Sequence, residues 1–131
     1  MIVVDSSCLL AILQDEPEKD AFRAVLEGGD RCILSAVNAH EAACVMRGRY
    51  GAPGVARLWD LIAGAEIEIA PFDELQMRAA AAAFDRYGKG VNSKSALNLA
   101  DCAAYALAKT MSAPLLFKGD DFTETDIKSA V

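Results

Sequence analysis

Short apolar runs alternate with longer amphipathic stretches along this chain, and the alternation predicts strands that alternate with helices. Three runs are short and apolar, apart from Arg31 at the start of the second, as expected for strands that are buried on both faces of a parallel sheet. They are residues 2–4, 31–34 and 114–117, and the pattern E-I-E-I-A at residues 66–70 adds a half-exposed strand. Strands that alternate with helices favour an α/β fold with three layers, in which a central, mostly parallel sheet is flanked by helices.

The predicted helices lie between these strands and are bounded by residues that begin or end helices. Asp5, Ser35 and Asn98 stand at expected N-caps, and Pro53 suits a first helical turn. The predicted helices are residues 8–13, 19–27, 37–49, 53–64, 73–87 and 98–110. In the alanine-rich helix 73–87 we expect the apolar side chains to lie in the core, namely Leu75, Met77, Ala80 and Phe84.

Length and composition indicate one globular domain, residues 1–131. The chain has 131 residues, 53% of them hydrophobic, and a net charge of −6. No apolar run approaches the roughly 20 residues that span a bilayer. The first apolar stretch carries Asp5 and has no basic flank, which argues against a signal peptide. We therefore expect a cytoplasmic protein without a membrane anchor.

The cysteines and the histidine of this sequence do not indicate a metal site, a redox motif or a catalytic residue. The four cysteines lie in apolar runs without a C-x-x-C pair, so we expect them to be reduced and buried. His40 is the only histidine, and it is expected to be a polar residue on a helix face.

Acidic residues follow the predicted strands, and Asp101 begins the last long helix. In S-A-L-N-L-A-D-C-A-A-Y-A-L-A-K-T, Asp101 falls in the first turn, where the helix dipole stabilises an anion. Asp5 follows the first strand, Glu41 lies early in the helix after the second, and Asp120 and Asp121 follow the last. The carboxyl edge of a parallel sheet would bring these carboxylates together.

Each of these residues also has a local explanation. Asp5 could cap a helix, Asp101 could complete a capping box, Glu41 could be a solvated helix residue, and Asp121 could form a turn. All four being coincidental is much less expected. Crowded carboxylates persist when divalent cations neutralise them, and oxygen-only ligands favour Mg²⁺ or Mn²⁺. Such ions suit the hydrolysis of a phosphodiester by activated water.

These segments together resemble PIN-domain ribonucleases and, among them, the VapC toxins of type II toxin–antitoxin systems. The segments are the Asp after the first strand, A-H-E-A-A, A-L-N-L-A-D-C-A-A-Y-A-L-A-K, and L-L-F-K-G-D-D-F-T-E-T-D-I. The resemblance implies a PIN-like fold and a Mg²⁺-dependent endoribonuclease, usually a homodimer. It also implies inhibition by a VapB antitoxin that occupies the acidic site, with any contact to DNA made through that antitoxin.

The resemblance assigns the metal ligands and catalytic carboxylates to Asp5, Glu41, Asp101 and Asp121, and Asp121 fits the fourth position better than Asp120. Ser6 stands where many relatives have Thr, which keeps a hydroxyl. Leu99-Ala100 stands where many relatives have Phe or Tyr together with Gly before the Asp, and this difference puts the shape of the pocket in question. Asp126 is an additional candidate, either near the site or as the partner of Thr123 in a local cap.

An acidic chain is unusual for a protein that binds RNA, because such proteins commonly carry a basic footprint. Part of the negative charge is the predicted site itself. A local basic rim could still contact RNA, and its candidates are Arg47, Arg86, Lys89 and Lys94.

Two other classes of protein share single features with this sequence. A phospho-receiver module needs an acceptor Asp at the end of its central strand, and residues 67–71 supply none. A haloacid-dehalogenase-like phosphatase would carry Asp-x-Asp after its first strand, but Ser7 replaces the second Asp.

The partner expected for the acidic site is an antitoxin that inserts a basic side chain among the carboxylates. An apolar helix of its tail would lie in a groove. We expect the groove to be walled by helix 8–13 and by the helices near Val37 and Val55.

Overall fold

The sheet is parallel and is built from four short strands. The computed structural model describes residues 1–91 and 94–131; Asn92 and Ser93, which fall between the predicted helices 73–87 and 98–110, lie outside the described residues. The strands are β1 (Ile2–Val4), β2 (Cys32–Ser35), β3 (Glu68–Ala70) and β4 (Leu115–Leu116). Their order is β3-β2-β1-β4, and every pairing between them is parallel, with Val3 opposite both Ile33 and Leu115.

Five helices connect and cover the strands in the described part of the chain. They are α1 (Ser6–Leu13), α2 (Lys19–Leu26), α3 (Ala36–Gly64), α4 (Glu74–Tyr87) and α5 (Leu99–Thr110). Four of them begin at the predicted type of polar cap, whose side chain accepts a backbone N–H of the first turn: Asp5, Ser35, Asp73 and Asn98. No helix among these residues is long and apolar enough to cross a membrane.

The sheet separates two hydrophobic cores, because successive side chains of a strand point to opposite faces. Ile2 and Val4 join the core formed with α1, α2 and α3. Val3 joins the core formed with α4 and α5. This arrangement confirms the predicted three-layer α/β fold.

The two helices predicted on either side of Gly51 form one element, α3, with a kink between them. Gly51 has a φ of +72° and a ψ of −162°, outside the helical region, while the helix resumes through Pro53. Glycine adopts this conformation without the steric cost that a side chain would add. The kink therefore divides α3 into two helical segments, and Glu41 lies on the first of them.

Two predictions about burial were wrong. Three apolar side chains of α4 that were expected in the core are exposed, namely Leu75, Met77 and Phe84, whereas Ala80 is buried. Cys44 is also exposed and lies 3.7 Å from His40 Nε2, one turn earlier on α3. Hydrophobic periodicity identifies a face of a helix, but it does not show whether the chain itself covers that face.

Candidate acidic active site

The predicted carboxylates follow the carboxyl ends of the parallel strands, as the topology requires. Asp5 comes directly after β1, and Glu41 lies in the second turn of α3, which leaves β2. Asp121 lies in the turns that follow β4, and Asp101 occupies the first turn of α5. The backbone N–H of Asp5 donates to Leu116 O at 2.9 Å, so the ends of β1 and β4 are held together.

Asp5 uses only one of its carboxylate oxygens to cap α1. Its Oδ2 accepts the backbone N–H of Ser7 at 3.1 Å and the Ser7 hydroxyl at 2.5 Å. The side chain is buried, and Oδ1 has no hydrogen-bond partner among the described residues. Capping therefore explains Oδ2 and leaves Oδ1 unexplained, so the local and the chemical interpretations of Asp5 are compatible.

The two carboxylate oxygens of Asp101 also differ in their roles. It forms a capping box with Asn98, in which Asp101 N donates to Asn98 Oδ1 at 2.8 Å and Asn98 N donates to Asp101 Oδ2 at 3.0 Å. The box fixes the side-chain orientation through one oxygen. The other oxygen takes no part in the box and can bind a ligand.

Glu41 and the two serines after Asp5 complete the local network. The Ser6 hydroxyl donates to Glu41 Oε1, which connects the first turn of α1 to α3. The Ser7 hydroxyl, besides donating to Asp5, accepts the backbone N–H of Lys118 at 2.9 Å. Each serine thus orients one carboxylate, and Ser7 also holds the segment that leads to Asp121.

Burial, and to a smaller extent repulsion between the carboxylates, raises the pKa values of Asp5 and Asp101. Burial, with a smaller contribution from the charge of Glu41, raises the pKa of Asp5 from 3.8 to about 6. Burial raises the pKa of Asp101 from 3.8 to about 7, and the charges of Asp5, Asp121 and Glu41 add to it. Asp101 therefore senses all three other predicted carboxylates, which makes it the electrostatic centre of the site.

The site is not a closed set of ligands. Among residues 1–91 and 94–131, no three His, Cys, Asp or Glu side chains are close enough together to hold a metal ion. Asp120 and Asp121 are both exposed, and Asp121 is one of the carboxylates whose charge raises the pKa of Asp101. The predicted residues are therefore coupled by charge and oriented individually by hydrogen bonds.

Asp126 has a structural role that its sequence neighbours do not reveal. It accepts hydrogen bonds from the Tyr105 hydroxyl and, at 3.0 Å, from Lys109 Nζ. Thr123 instead donates through its hydroxyl to Asp120 O at 2.8 Å. The predicted local cap between Thr123 and Asp126 was wrong, because Asp126 is held by α5 instead.

The basic residues considered around the site differ in their surroundings. Lys118 Nζ forms ion pairs with Glu16 and Glu18 in the connection between α1 and α2. Arg86, a predicted RNA contact, stacks over the ring of Tyr87 at 4.8 Å. Lys89 N donates to Leu97 O at 3.0 Å, which brings Lys89 to the segment that enters α5. Arg47 and Lys94 are exposed, and their contact with RNA stays a prediction.

Two polar residues of the site were missed from the sequence. Ser7 was considered only as a departure from a phosphatase motif, although it orients Asp5. Asn38 is completely buried and donates from Nδ2 to Ala100 O at 3.0 Å, next to Asp101. Its position three residues before Glu41, on the same helix face, was the available signal.

Neither alternative class fits the geometry. A receiver-like sheet has the order 2-1-3-4-5, with β1 between β2 and β3. Here β1 lies between β2 and β4, and β3 is on the far side of β2. Ser7, at the position of the phosphatase acid/base, has a hydroxyl that is already bonded to Asp5 and to the backbone of Lys118.

Comparisons with known proteins agree with this geometry. The family model for the PIN domain matches residues 2–128. A curated relative named VapC ribonuclease Mb0640, from Mycobacterium bovis, is 40% identical over 126 residues, which cover 96% of this chain and 95% of the relative.

Solved structures show the same fold at low identity. The crystal structure of Mycobacterium tuberculosis VapC20, described as a toxin that cleaves the sarcin-ricin loop, has a TM-score of 0.80 at 11% identity and covers 97% of this chain and 96% of its own. VapBC2 from Rickettsia felis, bound to a DNA fragment from its promoter, has a TM-score of 0.76 at 12% identity and covers 98% and 96%.

Proposed function

This chain belongs to the PIN-domain family, among the VapC ribonucleases, and on that premise we propose that it is the toxin of a toxin–antitoxin system, a cytoplasmic endoribonuclease that depends on Mg²⁺. One observation carries the proposal: Asp5 Oδ1 is buried without a hydrogen-bond donor among the described residues, and Asp5 is one of the carboxylates whose charges add to the burial that raises the pKa of Asp101 to about 7. A buried, unpartnered acceptor is costly unless a ligand satisfies it.

The residues fit a hard divalent cation. Asp5 and Asp101 would hold it most directly, each through the oxygen that its capping interaction leaves available. Glu41 and Asp121 would add charge and complete the ligand set. Oxygen donors without thiolate or imidazole favour Mg²⁺, and Mn²⁺ can substitute for it.

The roles of the protein residues follow from their contacts. A bound divalent cation supplies charge neutralisation and an activated water for phosphodiester hydrolysis. Ser7 and Asn98 prevent rotation of Asp5 and Asp101, and Ser6 does the same for Glu41. The side chains are thereby preorganised, so the protein does not need to order them when RNA binds.

The activity is tested by cleavage of RNA with the purified protein. We expect cleavage in Mg²⁺ that EDTA abolishes, and its loss in both Asp5→Asn and Asp101→Asn. Asp20→Asn is the matched control, because it removes an exposed carboxylate on α2 and should leave the rate unchanged. Cleavage at the wild-type rate by a folded Asp101→Asn variant would refute the site.

We propose that the partner is a VapB-type antitoxin that binds a groove between α1, α2 and the second half of α3. The groove has a volume of about 470 Å³. Apolar side chains line it, with two arginines and two acidic residues beside them: Ile12, Leu13, Leu26, Leu61, Arg23, Arg57, Glu27 and Asp60. The proposed walls differ from the expected ones in that α2 takes the place of the helix near Val37.

The partner proposal is supported by the fold shared with the VapBC2 complex and by the charge of the site. A basic side chain of the antitoxin could neutralise the carboxylates by charge-assisted hydrogen bonds. Expression of the chain alone should arrest bacterial growth, and co-expression of the cognate antitoxin should restore it. Replacing every basic residue in the antitoxin tail should relieve inhibition of the nuclease; unchanged inhibition would contradict this part.

We propose that the protein is a homodimer whose interface includes the apolar face of α4. Met77 and Phe84 of this face are exposed, and with the exposed Phe72, which precedes α4, and Leu99, which begins α5, they line a groove of about 450 Å³. A second copy would explain why an amphipathic helix carries apolar residues that the chain itself leaves exposed.

A further inference from the structure

Asn38 is the most completely buried polar side chain near the acidic site. It has no exposed surface, and its Nδ2 donates to the backbone oxygen of Ala100 at 3.0 Å. Its Oδ1 is buried and has no hydrogen-bond partner among the described residues. One half of the carboxamide is therefore satisfied and the other half is not.

Local structure does not account for this arrangement. The N-terminus of α3 is already capped by Ser35, whose hydroxyl oxygen accepts Val37 N at 3.2 Å. A buried acceptor without a donor destabilises the folded state, and an apolar side chain of similar volume would avoid that cost. An amide that is kept at a cost to stability needs another explanation.

The hydrogen bond joins the two helices that carry Glu41 and Asp101. Asn38 precedes Glu41 by three residues and so lies on the same face of α3. Ala100 immediately precedes Asp101 in the first turn of α5, and α3 packs against α5. The contact is thus placed between the first turns of both helices, directly beside the two carboxylates.

We propose that Asn38 is a positioning residue, whose hydrogen bond to Ala100 sets the spacing between Glu41 and Asp101 for binding a divalent cation. This inference rests on the proposed function. Ser6 and Asn98 orient the two carboxylates within their own surroundings, whereas Asn38 fixes one helix relative to the other. Ligand positions must hold to about 0.5 Å for a productive site, so a small separation of the helices is enough to weaken it.

Removal of the amide should therefore affect function more than stability. A variant without the Asn38 amide loses the hydrogen bond to Ala100, which lowers the free energy of unfolding. It also loses the unpartnered Oδ1, which raises the free energy of unfolding, so the two effects oppose each other. Residues that support metal ligands typically change affinity or activity by about 10-fold to 100-fold. We expect a loss of that size in Mn²⁺ affinity and in kcat, with the KM for RNA almost unchanged.

The experiment compares two variants with a control on the same helix. Asn38→Leu keeps the approximate volume without the donor, and Asn38→Ala removes the side chain. Ile62→Val is the matched control, because it weakens the packing of a buried residue near the far end of α3. Mn²⁺ binding to metal-free protein is measured by titration calorimetry, unfolding by urea, and kcat and KM with a fluorogenic RNA.

The expected result is weakened Mn²⁺ binding and lowered kcat in a folded Asn38 variant, with wild-type binding in Ile62→Val. Mn²⁺ affinity within about twofold of wild type in a folded Asn38→Leu or Asn38→Ala would overturn the inference. It is equally overturned if neither variant folds, since Asn38 is then purely structural. A wild-type protein that binds no Mn²⁺ refutes the proposed function, and the inference with it, which distinguishes the two failures.

Discussion

Replacing Asp5 with asparagine should stabilise the metal-free protein while it abolishes activity. Burial, with a smaller contribution from Glu41, raises the pKa of Asp5 from 3.8 to about 6. The difference of about 2 pH units corresponds to roughly 3 kcal/mol at 1.36 kcal/mol per unit. That is the cost, at neutral pH, of keeping this carboxylate ionised in the folded protein.

Asparagine recovers part of this cost. It is as good an N-cap as aspartate, so the bond from Ser7 N is retained. The bond from the Ser7 hydroxyl to the same oxygen is kept but is no longer charge-assisted, and the NH₂ group takes the place of the unpartnered Oδ1. We therefore expect the free energy of unfolding of Asp5→Asn to exceed that of the wild type by about 1–3 kcal/mol at neutral pH.

The pH dependence gives the sign of the effect. Because the folded pKa is raised, the wild type carries the full penalty above about pH 6 and loses it as the pH falls towards 3.8. The advantage of the variant should therefore be complete near pH 7.5 and absent near pH 4. Urea unfolding in EDTA, followed by circular dichroism at both pH values, measures it.

Asp15→Asn is the control for a general effect of net charge. Asp15 is exposed, and its hydrogen bond with Lys19 holds its pKa below the usual value, so removing its charge should not stabilise the protein at neutral pH. The reasoning about Asp5 is refuted if Asp5→Asn is no more stable than the wild type near pH 7.5. It is also refuted if the same gain persists near pH 4.

Three further predictions follow from the site and its surroundings. Chelation should stop RNA cleavage, Mg²⁺ or Mn²⁺ should restore it, and Ca²⁺ should bind without fast turnover; full activity in excess EDTA would exclude the proposed chemistry. Ser6→Ala should lower kcat by about 10-fold to 100-fold because Glu41 loses its hydrogen bond, while a wild-type kcat would show that this bond is dispensable. Phe84→Glu should convert the dimer to a monomer in light scattering, whereas the exposed charge change Glu124→Lys should not; a wild type that is itself monomeric would contradict the interface.

The fold was predictable because its signals are local. The apolar run of β1 ends at Asp5, and Asn98 precedes the apolar period of α5, so strand ends and helix caps coincide with changes of pattern. Parallel topology then brings the carboxyl ends of the strands to one edge, and the order of the acidic residues along the chain predicted which of them would be coupled.

The features that were missed depend on distant partners. The exposed face at Met77 and Phe84 has the same periodicity as a buried one, since periodicity does not depend on what covers the helix. Asp126 is held by Tyr105, 21 residues earlier, and Asn38 by Ala100, 62 residues later. No pattern within a short window of sequence identifies such pairs.

In the sequence, helix capping and a functional role appeared as alternatives for Asp5 and Asp101, whereas in the structure the two roles are compatible. Asp5 and Asp101 each cap a helix through Oδ2, and capping involves only one oxygen of each carboxylate. A sequence motif suggests a single role for a residue. A carboxylate has two oxygens, so one oxygen can cap a helix while the other binds a ligand.

Anomalous diffraction from crystals of the wild-type protein soaked in Mn²⁺ would show directly whether Asp5 and Asp101 hold a divalent cation. We expect a Mn²⁺ peak at coordination distance, about 2.2 Å, from Asp5 Oδ1 and from a carboxylate oxygen of Asp101. The serine and asparagine hydrogen bonds to the opposite oxygens should be preserved. A Mn²⁺ peak that lies away from both aspartates, or no peak at a concentration that supports RNA cleavage, would refute this metal site.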